Sequence, residues 1–247
     1  KKLFDENKGQ IAAVIMEPVG IIDPENNFLS EVKELTHKNG ALLIFDEVVT
    51  GFRMSIGGAQ QYYNVIPDMA CIGKAMGNGM PISCVVGKKE IMKTFDEVFF
   101  SFTFGGECLS LTASIATINE MIKKDAIKKI WRNGKRLRDG YNKIAKTLGI
   151  DNITKCVGLP PHTVITYSNL GDIDPLLIRT LFQQEAIKRG ILAIGVHNIC
   201  YSHSKEDIDK TLAVYGQALQ IMKDALKDGD INKFLVGKVV QPVFRKP

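Results

Sequence analysis

Tryptophan is nearly absent from this 247-residue chain, at one residue, and the cysteines number only five: Cys71, Cys84, Cys108, Cys156 and Cys200. They are widely separated, odd in number and include no C-x-x-C pair, which excludes a disulfide framework and offers no zinc spacing. Buried thiols in a reducing compartment are expected, and with them a cytoplasmic location. No apolar run approaches the ~20 residues that a membrane helix needs. No dense basic tract exists either: 32 Lys and Arg are spread along the chain against 27 Asp and Glu, net +5, which argues against a nucleic-acid partner. There is no internal repeat and no low-complexity linker. No G-x-G-x-x-G follows a strand, which speaks against a nicotinamide-binding oxidoreductase. The first residues, Lys1 to Lys8, contain neither an initiator Met nor a secretory signal. The chain is therefore expected to start inside a longer protein.

What is present is the composition of a globular protein, 45% hydrophobic and 24% charged. Through the first half, short β-rich runs at Ile11 to Met16, Leu42 to Phe45, Met69 to Ile72, Cys84 to Val86 and Val98 to Phe102 alternate with helical patterns, the signature of an α/β fold. Leu29, Val32, Leu35 and Thr36 recur at helical spacing and Asn39-Gly40 supplies a stop, so Ile11 to Phe45 reads as a βαβ unit. From Glu107 to Leu148 the pattern is helical, with a solvated basic side and possible interruptions at Gly134 and Gly140. The remainder reads as a smaller α+β region: a strand at Thr163 to Tyr167, a helix across Pro175 to Arg189, a strand around Ile191 to Ile194, and a helix capped near Ser204 with a first-turn acid.

Two positions place a reactive group directly after a buried strand: Asp46 after Leu42-Leu43-Ile44-Phe45, and Lys74 after Ala70-Cys71-Ile72-Gly73. Ligands of open α/β sheets sit at the carboxyl ends of strands. An amine and an acid there share a use in pyridoxal phosphate enzymes, where Lys forms a Schiff base with the cofactor aldehyde and Asp keeps the pyridine nitrogen protonated. Asparagine cannot supply that charge, and arginine cannot form the imine or shuttle a proton. The bland alternative is a loop cation at Lys74 and a structural ion pair at Asp46, and spacing alone leaves it open.

The surroundings add specificity. Lys74-Ala75-Met76-Gly77-Asn78-Gly79-Met80-Pro81 is a tight glycine turn after the amine, and Phe45-Asp46-Glu47-Val48-Val49-Thr50-Gly51-Phe52-Arg53 surrounds the acid. With Glu17-Pro18-Val19, Gly58-Ala59-Gln60, Pro67-Asp68 and Thr103-Phe104-Gly105-Gly106-Glu107, these segments resemble the class III, fold type I, PLP-dependent aminotransferases over most of residues 11 to 120. The pattern is similar in particular to the glutamate-1-semialdehyde 2,1-aminomutases and their aminotransferase relatives.

The resemblance implies roles position by position. Lys74 becomes the Schiff-base lysine, Asp46 the partner of the pyridine nitrogen, and Val48 an apolar contact on one ring face. Thr103 becomes a donor to the cofactor phosphate of a neighbouring subunit, which implies a homodimer. Residues 1–122 become the C-terminal part of the large cofactor domain and 123–247 the small C-terminal domain. The expected activity is transfer of an amino group from a small-molecule donor to a carbonyl acceptor. Intramolecular transfer as in the aminomutases is the alternative, because Thr103-Phe104-Gly105-Gly106-Glu107-Cys108 stands where those enzymes show T-L-S-G-N-P. Glu17, Glu47 and Arg53 read as caps or ion-pair partners, His203 as a structural histidine, and Cys71 and Cys84 as core thiols. The family's phosphate loop and ring-stacking aromatic do not occur before Ile11. The chain is thus expected to be a C-terminal fragment with little activity by itself, and a non-catalytic paralogue that binds a longer partner subunit is the rival from another class.

Overall fold

The computed structural model describes residues 1–100, 103–171 and 173–241. The chain divides into two compact units, Lys1–Lys128 and the part that begins at Lys129. In the first unit, a short helix α1 (Lys2–Glu6) leads to β1 (Ala13–Met16), α2 (Phe28–Lys38), β2 (Leu42–Glu47), α3 (Gly58–Tyr62), β3 (Met69–Ile72), β4 (Cys84–Gly87), α4 (Lys89–Met92) and α5 (Cys108–Lys123). The four strands lie in chain order in one sheet. The first three are parallel and β4 returns antiparallel to β3.

The βαβ unit follows from its sequence. Leu29 on α2 packs with Leu43, Phe45 and Val65, and Val14, Met16 and Val32 close the cluster. The helix stops where Gly40 turns at φ +72° and the Ala41 amide donates back to the Thr36 carbonyl at 3.1 Å. Residue 43 begins the register that matters for the site: Leu43 is fixed against Asp68, whose own amide donates to the Leu43 carbonyl at 2.8 Å. The buried Asp68 carboxylate accepts from the Leu43 amide (2.7 Å) and from His37 Nε2 (2.8 Å), and pairs with Lys88 Nζ (2.6 Å). Burial works against its charge, but the hydrogen bonds from Lys88, Leu43 and His37 prevail and hold the carboxyl down to about 2.

The run at Val98 to Phe102 is not a strand over the residues described. The Val98 amide donates to the Thr94 carbonyl at 3.1 Å, closing a turn, and residues 101 and 102 lie outside the described residues. The long helical stretch is two helices, α5 and α6 (Ala126–Leu148), broken at Asp125, which takes φ +47°. Neither Gly134 nor Gly140 interrupts α6. They are packing sites instead: a Cβ on Gly134 would lie 1.8 Å from the Pro160 carbonyl oxygen, and one on Gly140 would lie 2.7 Å from a Leu212 methyl.

In the second unit, β5 (Thr154–Leu159), β6 (His162–Tyr167) and β7 (Val196–Asn198) form an antiparallel sheet in chain order, with α7 (Pro175–Lys188) and α8 (Lys205–Asp228) completing the layers. The strand expected at Ile191 to Ile194 lies further on, at β7, because pairing with β6 starts where the Ile165 amide reaches the Gly195 carbonyl at 2.8 Å. A T-shaped and tilted aromatic trio, Tyr141, Phe182 and Tyr215, fills the core, with ring centroids 5.0 to 5.9 Å apart. Helix α8 starts with a capping box, the Asp207 amide donating to Ser204 Oγ (3.1 Å) and the Ser204 amide to Asp207 Oδ2 (2.8 Å). The basic side of α6 is partly spent on local pairs, Lys135 with Asp139 at 2.5 Å and Arg136 with Asp209. No helix among the described residues is long and apolar enough to cross a membrane.

Candidate active site

The parallel pairing of β2 and β3 sets Asp46 beside Cys71, so their side chains share one face at the carboxyl ends of the two strands. Asp46 is half-buried, and its Oδ1 accepts from the Val48 amide at 3.0 Å. Among the described residues no cation pairs with it. Burial and the Asp46 charge beside it push the Cys71 thiol up.

Lys74 opens a 3-10 turn, Lys74–Met76, two residues beyond the end of β3. It is exposed, and among the described residues no acid pairs with it. Its φ of +43° is a left-handed conformation that costs a non-glycine residue about 1–2 kcal/mol, the kind of local strain that gathers at functional sites. Gly77 after it is sterically required, since a Cβ there would lie 2.5 Å from the Met80 carbonyl oxygen, and Gly79 takes φ +101°. Val48 belongs to the same corner, since a Cβ built on Gly73 would lie 3.8 Å from Val48 Cγ1. The fold thus brings Asp46, Val48 and Lys74 together at two neighbouring strand ends.

Thr103 is not joined to that group by a hydrogen bond. It is exposed, in the turn that leads into α5. The Glu107 side chain caps α5 by accepting from the Leu109 amide (2.6 Å) and the Ser110 amide (2.8 Å), and α5 packs on the Lys74–Met76 turn. Between this segment and Pro81–Ser83 lies an open cavity of about 320 Å³, lined in part by Phe104, Glu107 and Leu111.

The remaining residues singled out in the sequence have local partners. Arg53 Nε donates to the Val49 carbonyl (2.9 Å), Glu17 is exposed just past β1, and His203 Nδ1 accepts from the Cys200 amide (3.1 Å). Cys84 is half-buried, its thiol pushed up by burial and by Cys71. Glu47 is more deeply engaged than the sequence indicated. It is completely buried and receives donors from Thr50, Ala59 and Gln60. The sequence signal was its place two residues after Phe45, on the face of β2 where Leu43 and Phe45 are buried and an acid needs several donors to be tolerated.

A primary amine and a carboxylate at a strand-end corner, neither in a salt bridge among the described residues, can respectively condense with a carbonyl and accept an N–H from a cationic ring. Similarity to known proteins points the same way. The chain is 40% identical over 228 residues to the glutamate-1-semialdehyde 2,1-aminomutase of Acetivibrio thermocellus, covering 86% of this chain and 52% of that protein. It is 36% identical to that of Methanosphaera stadtmanae, covering 86% and 54%. The chain spans about half the length of the curated relatives it matches. Among solved structures, a transaminase with PLP bound superposes with a TM-score of 0.83 at 21% identity, over 90% of this chain and 55% of that one. An omega-transaminase from Sphaerobacter thermophilus does so with 0.81 at 22%, over 90% and 55%. The fold is therefore that of the fold type I PLP-dependent transferases. The family described as aminotransferase class-III matches residues 1–203, and the chain belongs to that family.

Proposed function

We propose that the protein is a PLP-dependent aminotransferase, moving an amino group from a small-molecule donor to a carbonyl acceptor, and that Lys74 and Asp46 carry the chemistry. The observation that carries this reading is the pairing of β2 with β3, which sets an acid and an amine at adjacent carboxyl ends, with no ion pair to either among the described residues. The residues present fit the cofactor's reactive side: an amine for its aldehyde carbon, an acceptor oxygen for its ring nitrogen, and a valine methyl for one ring face. When bound, pyridoxal phosphate supplies a carbonyl that condenses with amines and a protonated ring that withdraws electrons from the substrate α-carbon.

The chain's own residues do the rest. Asp46 holds the proton on the ring nitrogen by placing negative charge against it, while the Val48 amide keeps one carboxylate oxygen in place. Lys74 would hold the cofactor through its side-chain amine, and that amine would carry a proton to and from the substrate carbon. Val48 fixes the ring plane. Thr103 donates its hydroxyl to the phosphate of a partner subunit in a homodimer. In this reading residues 1–122 belong to the large cofactor domain and 123–247 to the small domain, and the protein works in the cytoplasm.

Intramolecular transfer is the second reading, favoured by the aminomutase names of the relatives at 40% and 36% identity. Product analysis on the whole protein with PLP separates the two. Formation of a keto product from a panel of amino donors together with an aminated acceptor supports transfer between substrates. Conversion of glutamate-1-semialdehyde alone supports the second reading. Neither product, with the protein folded and loaded, leaves the non-catalytic paralogue.

A further inference from the structure

Side chains alternate along β2, so Glu47 projects to the face opposite Asp46. There its carboxylate is fully enclosed. Oε2 accepts from the Thr50 hydroxyl at 2.9 Å and from the Ala59 amide at 2.5 Å, and Oε1 accepts from the Gln60 amide at 3.0 Å. Its backbone carbonyl takes the Gly51 amide at 2.8 Å. One residue thus ties down both the start and the end of the segment 48–60.

The fit is close enough to dictate other residues. Gly58 adopts φ +77°, and a Cβ there would lie 2.3 Å from Glu47 Oε2; a Cβ on Gly51 would lie 2.8 Å from the Glu47 carbonyl oxygen. All three partners of the carboxylate are donors. An amide in its place would turn an NH₂ toward at least one N–H or O–H and lose that bond.

The first residue of the tied segment is Val48, whose amide grips the Asp46 carboxylate and whose side chain lies by Gly73, next to Lys74. We propose that Glu47 is a positioning residue: by anchoring residues 48–60 through Thr50, Gly51, Ala59 and Gln60, it holds the Val48 amide on Asp46 and so sets the aim of the carboxylate and the place of the valine. The consequence for the cofactor rests on the roles given to Asp46 and Val48 under Proposed function. The anchoring itself does not.

The test uses Glu47→Gln, with Thr50→Val as a milder variant that removes one donor and keeps the carboxylate. Amide hydrogen exchange, read residue by residue on the 247-residue chain without cofactor, should quicken at Val48 and Gly51 by about tenfold in Glu47→Gln and less in Thr50→Val. The amides of Phe45 and Ala70 should keep their parent rates. An unchanged Val48, or equal quickening across the whole first unit, overturns the proposal, because the second pattern is what a general loss of stability produces. The second readout is the pyridoxal phosphate concentration that gives half-maximal borohydride-stable labelling of Lys74, by peptide mass. It should rise about tenfold in Glu47→Gln; an unchanged value with a labelled parent overturns the link to the cofactor. A parent that is not labelled at Lys74 at all defeats the reading of the site, while the exchange result still decides the anchoring.

Discussion

The buried imidazole of His197 makes the second unit acid-sensitive by an amount that follows from its surroundings. Nδ1 meets the Thr163 hydroxyl at 2.9 Å and Nε2 the Tyr215 hydroxyl at 2.9 Å. Burial, with a smaller push from the His162 charge, lowers its pKa from 6.5 to about 4. The folded state therefore keeps this histidine neutral at pH values where the unfolded chain protonates it. Stability is fully present above the unfolded value and is lost as pH falls from 6.5 towards 4. Complete passage costs about 3 kcal/mol, and the step from about pH 7 to about pH 5 costs about 2 kcal/mol. Burial works against the charge of Glu185, but hydrogen bonds from Gln184, Lys188 and Arg189 prevail and hold it down from 4.5 to about 2, so its contribution is lost as pH falls from 4.5 towards 2, below the window of His197's main loss.

The single tryptophan, Trp131, lies in α6, so its fluorescence follows the second unit during urea unfolding of the 247-residue chain. At an m of about 2 kcal/mol per molar, the midpoint should drop by about 1 M between those pH values. His197→Gln should lower stability at both and remove most of the pH dependence. Equal pH dependence in parent and variant would falsify the assignment, since it would mean that His197 binds its proton as readily folded as unfolded.

Further predictions follow from single contacts. Asp46→Asn keeps an acceptor for the Val48 amide and removes only the charge, so the whole protein should retain PLP while amino transfer falls by about a hundredfold or more; turnover equal to the parent in product assays would contradict the role of Asp46. Gly134→Ala should destabilise the second unit by about 1–3 kcal/mol, because the new methyl meets a backbone carbonyl. Gly140→Ala should cost less, because it meets Leu212 methyls that can rotate away; the reverse order in urea melts followed at Trp131 would refute the packing account.

The features of the fold that were legible in the sequence are those with a local cause. The β1–α2–β2 unit announced itself through apolar spacing and the Asn39-Gly40 stop, and α8 through Ser204 and Asp207. What escaped was set by partners distant in the chain. Gly134 looked like a helix interruption because the Pro160 carbonyl it accommodates lies 26 positions away. β5 carries Thr154 and Cys156 on its buried side, too weak an apolar signal, and is held by a ladder to β6 and by Asn142, whose Oδ1 accepts from the Cys156 amide at 2.8 Å. At the site, Asp46 and Lys74 were legible because each stands at the carboxyl end of a strand, Asp46 one residue before the end of β2 and Lys74 two residues past the end of β3. Their adjacency required the register of β2 against β3, and the reach of Glu47 to residues 59 and 60 required the fold of the whole segment.

The central claim is that Lys74 holds the cofactor. The most direct measurement is borohydride reduction of the whole protein in the presence of pyridoxal phosphate, followed by peptide mapping. The account predicts a stable pyridoxyl label confined to Lys74 and lost in Lys74→Ala, with the other lysines unlabelled at stoichiometric cofactor. A label on a different lysine, or scattered over surface lysines to the same extent in parent and variant, would contradict it.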